Sequence, residues 1–148
     1  MNFDIFENIG EAANTFSKIQ IDSNELVEAL SYLKNNAEFS LDRLNTIIAI
    51  DLNDKFELIY DLHSVETGKV ARISVLVDRN SPHISSVVNV FKSANFDECE
   101  IYDMFGIVFD KNPDLKRLLM PSSWIGYPLR KDYVQSDERL AWNGGDND

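Results

Sequence analysis

The chain has 148 residues, a hydrophobic fraction of 44% and a net charge of −11, which suits one domain with a core of its own. So negative a balance excludes the basic footprint that general nucleic-acid binding requires. The single cysteine, Cys99, excludes an intrachain disulfide and suits a reducing compartment.

From the N-terminus, Met1-Asn2-Phe3-Asp4 has no signal-peptide pattern, and no apolar run approaches the ~20 residues that span a bilayer. A cytosolic or peripheral protein is expected, with any membrane role exercised through a partner. Phe3, Ile5, Phe6, Ile9, Ala12, Ala13 and Phe16 recur at helical spacing and predict a short first helix. Lys18–Ile21 reads as a brief strand. Asp22 and Glu25 form a capping-box pattern, followed by Leu26, Val27, Leu30 and Leu33 at core spacing; a helix over 23–35 is expected, ending at Asn35-Asn36.

Three strands follow. Residues 44–52 are rich in β-branched types, Asn53-Asp54 is a two-residue turn candidate, and Phe56, Leu58, Tyr60 and Leu62 alternate with more polar positions. After a turn at Glu66-Thr67-Gly68, Ala71, Ile73, Val75 and Val77 alternate again. Short connections make this an antiparallel meander. The expected fold is α+β, an antiparallel sheet with helices packed on one face. Ile84, Val87, Val88 and Phe91 predict a further helix, and a second is expected from Asn95, with Asn95 and Glu98 as a capping box and Gly106 as its C-terminal stop.

The stretch from Glu98 to Tyr133 is unlike the rest. Three of the four prolines lie between Pro113 and Pro128, so no regular helix or central strand can run through them. Its leucines, Met120, Trp124 and Tyr127 are too apolar for a solvated tail. Residues 1–110 carry 8 Lys or Arg against 19 Asp or Glu, whereas 111–133 carry five basic residues against two acids. The chain therefore divides into an α+β body, 1–106, and an extended C-terminal docking segment, 107–148. That segment must bury its side chains against its own domain or against another chain. Its mixture of Leu, Met, Trp, Tyr and Arg matches interface composition, and Arg117, Trp124 and Arg130 are types enriched at hot spots.

Catalytic signals are weak. His63 and His83 lack metal-ligand spacing, and Cys99 sits among acids that do not activate a thiolate. On a helix, Glu98 and Glu100 point about 200° apart and cannot converge on one substrate atom. There is no glycine-rich phosphate loop, and one cysteine cannot hold an iron–sulfur cluster. A free-standing anion- or nucleotide-binding enzyme, with its pocket beneath the extension, stands as a reading of a different class.

Glu98, Glu100, Tyr102 to Ile107, Phe109, Pro113-Asp114-Leu115, Arg117, Leu119-Met120-Pro121, Trp124, Gly126 and Pro128 to Tyr133 match, in order, a pattern known elsewhere. It resembles that of the thirty-kilodalton subunit family of respiratory complex I, called the C subunit in bacteria and the J subunit in cyanobacteria and chloroplasts. The upstream region, including Tyr60 to Ser64, is similar more loosely. The chain departs from the pattern at Cys99, where the family has arginine, at Asn112, where it has histidine, and at Lys116, where it has arginine. The tail also continues past Tyr133.

The resemblance implies a cofactor-free subunit of the hydrophilic arm of a proton-translocating NADH:quinone oxidoreductase. FMN, iron–sulfur clusters and quinone would lie in partner subunits. Its implied partners are the large quinone-site subunit, around which the extension wraps, and neighbouring iron–sulfur subunits. Its implied place is the cytoplasmic side of the cell membrane, as a peripheral protein. Glu98, Glu100, Tyr102, Asp103, Arg117, Trp124, Arg130, Lys131, Asp132 and Tyr133 would then be subunit-interface residues, none of them catalytic. The alternative implied is the equivalent subunit of an energy-converting membrane-bound hydrogenase or formate hydrogenlyase complex.

Overall fold

The computed structural model describes residues 1–10 and 18–134. Its centre is a four-stranded sheet in the order β1-β4-β3-β2, with β1 at Lys18–Gln20, β2 at Arg43–Asp51, β3 at Lys55–His63 and β4 at Val70–Asp78. The three long strands form the expected antiparallel meander. Register follows from alternation, since a one-residue slip would turn every apolar side chain away from the core. The first turn is fixed locally: Leu52 N–H donates to Lys55 O at 2.9 Å. Asn53 takes a φ of 76° there, while Asp51 accepts from its N–H at 2.8 Å, a role asparagine tolerates.

The sheet is mixed rather than purely antiparallel, because β1 joins β4 in parallel with Ile19 opposite Ile73. A strand of three residues carries no local signal of direction; its partner lies some fifty residues away in sequence.

Helix α1, Leu26–Asn35, follows a 3-10 turn at Ser23–Glu25 whose cap, Asp22, accepts from Asn24 N–H at 3.0 Å. It ends at Asn35 as expected and buries Leu26, Ala29, Leu30 and Leu33. These join Leu58, Tyr60, Leu62, Ile73 and Val75 in one core, where each such aliphatic side chain contributes about 1.5–3 kcal/mol. The expected first helix is a 3-10 turn at Phe3–Phe6, with Phe6 buried and Phe3 stacked on Tyr32 at 4.0 Å. The remainder of that expectation, at Ala12, Ala13 and Phe16, lies outside the described residues.

The helix expected from Ile84 to Phe91 does not form. His83–Ser85 is a strand, β5, paired in parallel with β6 at Val108–Asp110. Ile84 and Val87 are buried all the same. Their apolar spacing reflects burial, but the partner strand that decides the conformation comes from beyond the next helix.

That helix is α2, Ala94–Phe105. Its start is not the expected capping box: the cap position is Ser93, Asn95 lies inside the first turn, and Glu98 is buried and turned elsewhere. Its end is as expected, with Gly106 at a φ of 73° and its N–H donating to Tyr102 O at 2.9 Å. Asp97 of α2 accepts from Ile47 N–H at 3.0 Å, so the helix closes part of the free edge of β2. The expected body boundary at Gly106 falls between α2 and β6. Ile107 and Phe109 beyond it are buried in the core. Among the described residues no helix is long and apolar enough to cross a membrane.

Candidate functional site

Beyond β6 the chain turns back as a strap, residues 111–134, laid across the C-terminal end of α2 and the β2–β3 turn. Proline and irregular backbone leave it without a ladder of its own, so side chains and carbonyls of the body supply its hydrogen bonds.

The first anchor of the strap is Glu98, on α2. This buried carboxylate accepts from Val87 N–H at 2.8 Å, Ser86 Oγ at 2.7 Å and Asn112 Nδ2 at 2.7 Å. Burial pushes its pKa up, and the three hydrogen bonds only partly oppose that rise. Asn112, one of the departures from the family pattern, thus joins α2 to the start of the strap. Cys99 is buried beside it, its thiol 3.3 Å from Asp114 O.

Asp103 is the second anchor. One oxygen receives the consecutive N–H groups of Leu118, Leu119 and Met120 at 3.1, 2.7 and 2.9 Å; the other receives Arg117 at 2.8 Å. Burial alone would raise its pKa, but the bonds from Met120, Arg117, Leu119 and Leu118 outweigh it and hold the carboxyl below its usual range. Arg117 also donates to Trp124 O and Gly126 O, each at 3.1 Å. A single guanidinium therefore ties α2 to two turns of the strap, a use of its planar fork that lysine could not reproduce.

The third anchor is a ladder of alternating arginines and rings. Arg117 lies 5.2 Å from the Tyr127 ring, Arg130 lies 4.8 Å from Tyr127 and 5.2 Å from Phe56, and Arg79 lies 5.0 Å from Phe56. Arg130 donates to Phe105 O at the end of α2, and Arg79 joins Asp51 to Asp132, the latter at 2.8 Å. Lys131 contributes its backbone N–H to Asp51 at 2.9 Å. Burial opposes ionisation of Asp51, but Lys131 N–H, Arg79 and Asn53 N–H together lower its pKa to about 2. Tyr127 covers Gly106 so closely that a Cβ there would lie 2.4 Å from its ring.

Of the expected interface residues, the structure gathers Glu98, Asp103, Arg117, Trp124, Arg130, Lys131, Asp132 and Tyr133 along one junction. Tyr133 N–H donates to Arg130 O at 3.1 Å. Trp124 is half-buried, its indole Nε1 enclosed without an acceptor among the described residues. Glu100 and Tyr102 are half-buried on α2, and none of the strap's described hydrogen bonds uses their side chains. Asp51, Phe56, Arg79 and Tyr127 were not among the expected interface residues. The first three are remote in the chain and fit ordinary strand and turn patterns, so only Tyr127, inside the Gly-Tyr-Pro run, carried a local signal.

With these polar groups turned inward, the strap presents apolar side chains outward. Leu119, Ile125, Leu129 and Val134 are 64%, 83%, 56% and 80% exposed. Among the described residues no group of three or more His, Cys, Asp or Glu is placed to hold a metal ion.

A family model described as the 30 Kd subunit of respiratory-chain NADH dehydrogenase matches residues 19–139. The chain is 40% identical over 131 residues to the C subunit of the NADH-quinone oxidoreductase of Trichlorobacter lovleyi, covering 85% of this chain and 80% of that protein. It is 51% identical over 80 residues to the J subunit of the chloroplastic NAD(P)H-quinone oxidoreductase of Lotus japonicus, covering 51% of each. It therefore spans most of the bacterial relative and about half of the chloroplast one. Among solved structures, a trypsin-resistant fragment of Nqo5 is 28% identical with a TM-score of 0.57, covering 65% of this chain and 80% of that one. A chain of an archaeal membrane-bound sulfane sulfur reductase is 21% identical with a TM-score of 0.66, covering 88% of this chain and 81% of that one; this likeness concerns the fold alone.

Proposed function

The chain belongs to the family of the 30 kDa subunit of respiratory-chain NADH dehydrogenase, and we propose that it is a cofactor-free peripheral-arm subunit of a complex I-type NADH:quinone oxidoreductase. In this role it carries no catalytic residue. FMN, iron–sulfur clusters and quinone belong to partner subunits, and this chain sits at the cytoplasmic side of the membrane through them. Its strap docks on the large quinone-site subunit and helps assemble the arm.

The observation that carries this reading is the division of labour within the strap. Arg117 and Arg130 are spent on holding it to the body, while Leu119, Ile125, Leu129 and Val134 face outward. A segment pinned in one conformation loses little further entropy when a partner covers its apolar side. Residues expected as direct contacts, Arg117 and Arg130 above all, act in this reading as the clamps that present the contact.

Co-purification tests it. A tagged chain recovered from native membranes is expected to bring a large subunit and iron–sulfur proteins with it. Ile125→Glu is expected to abolish that recovery while leaving the isolated chain's melting temperature unchanged, because the side chain touches little of the body. Recovery of the wild-type chain alone, or undiminished recovery of the variant, would sink the proposal. A nickel-ligating large subunit in the eluate would place the chain in a hydrogenase-type complex instead.

A further inference from the structure

Away from the strap, a cleft of about 470 Å³ opens between the end of α1, the start of β2 and the turn before α2. Lys34, Arg43 and Lys92 all line it, with Phe91, Ser93 and Asp42. Three cations at one cleft stand out on a chain with 14 basic residues against 25 acidic ones. Elsewhere Lys18, Lys55, Arg72, Arg79, Lys116 and Arg117 each meet a carboxylate, while Lys69 and Arg130 are held by backbone carbonyls. Lys34, Arg43 and Lys92 pair with none of the carboxylates of the described residues.

Their arrangement is partly built. Lys34 is half-buried, its Nζ held by Val90 O at 2.6 Å and lying 5.2 Å from the centre of the Phe91 ring. An ammonium fixed in this way keeps two N–H groups for another acceptor. Asp42, the acid in the lining, accepts from Val65 N–H at 3.4 Å through one oxygen, and the cleft sets three cations against this one carboxylate. Ser93, at the cap position of α2, makes no capping bond with its side chain and is exposed in the lining of the cleft. A guanidinium, two ammonium groups and a hydroxyl around an open space form a donor set for a multivalent oxyanion, and an apolar wall lowers the local dielectric.

We propose that this cleft binds a phosphate-class anion, either a soluble phosphoryl group or the phosphate of a lipid headgroup, through Lys34, Arg43, Lys92 and Ser93. The site is independent of the strap, so it stands or falls apart from the subunit role.

The test uses the full chain, with inorganic pyrophosphate as the soluble probe and phosphatidylcholine vesicles containing phosphatidylglycerol as the lipid probe. Calorimetric titration and NMR shifts are expected to show saturable pyrophosphate binding with perturbations centred on residues 89–93 and Lys34. Arg43 and Lys92 are exposed, so Arg43→Gln with Lys92→Gln is expected to keep the fold while weakening binding by about tenfold or more. Lys111→Gln with Lys131→Gln on the strap is expected to change nothing. Vesicle co-sedimentation that disappears in the Arg43/Lys92 variant would assign the lipid source, and binding of pyrophosphate without co-sedimentation the soluble one. Failure of both probes would overturn the site, as would equal weakening by the strap variant. Binding of poly-glutamate without any response to either phosphate probe would also overturn it, and make the cleft a protein contact.

Discussion

Asp51 and Glu98 are both buried, yet their surroundings push their proton affinities in opposite directions. Around Asp51, burial raises the proton affinity, but the backbone N–H groups of Lys131 and Asn53 and the Arg79 guanidinium outweigh it and lower its pKa from 3.8 to about 2. Its contribution is complete above pH 4 and is lost as pH falls toward 2, because the unfolded chain takes up the proton first. Asp51→Asn is therefore expected to cost about 1.5–3 kcal/mol at neutral pH, with the gap to wild type closing between pH 4 and 2 in urea titrations. Glu98 has neutral donors only, so burial dominates and its pKa lies above 4.5. The folded chain then holds a proton that the unfolded chain has released, and stability declines as pH rises from 4.5 through the folded value. Glu98→Gln removes that decline, so its stability relative to wild type should improve over the same interval. A pH-independent difference would refute this account. Gly106 is set by two independent demands, a φ of 73° and the Tyr127 ring where a Cβ would lie. Gly106→Ala is expected to cost about 2–4 kcal/mol and to accelerate proteolysis within 111–134, a second readout of displaced Tyr127.

At the scale of elements, the strap and β6 behave differently, although both follow Gly106. Ile107 and Phe109 are in the core, and Asn112 supplies a donor to Glu98. Truncation after Gly106 removes all three and should leave a chain that does not fold cooperatively. Truncation after Leu115 keeps them and removes only the part of the strap from Lys116 onward, which is tied to the body through Asp103, Arg117 and Arg130. That shorter body should fold with a lower melting temperature by circular dichroism, yet fail to co-purify with partners. The sequence made this difference hard to see. β6 is three residues long and pairs with β5 across α2, so neither strand has a local signature, and Ile84 to Phe91 satisfied a helical period by chance of burial. The long elements were legible because each carried its own evidence: alternation in β2 to β4, core spacing and an asparagine stop in α1, and Gly106 at the end of α2. The anchors of the strap were half legible. Asp103, Arg117 and Arg130 fall in one motif, whereas Asp51, Phe56 and Arg79 meet it only through the fold.

For the molecule as a whole, the arginine–aromatic ladder separates what stabilises the chain from what remains for a neighbour. The rungs run from Arg117 through Tyr127, Arg130 and Phe56 to Arg79 and join the strap to the central sheet. The strap should therefore be ordered before docking, and binding should cost little reorganisation of the body. Hydrogen exchange can check this directly. In the isolated chain the N–H groups of Leu118, Leu119 and Met120, held by Asp103, should already be protected, and Leu129, bonded to Met104 O at 3.0 Å, likewise. If a partner docks on the strap as proposed, the added protection in the assembled complex should fall at Ser122, Ser123 and Ile125, and α1 should be unchanged. Rapid exchange at 118–120 in the free chain would mean that the strap forms only on its partner. The ladder would then be a consequence of docking rather than its preparation, and the outward apolar row would lose its meaning as a preformed surface.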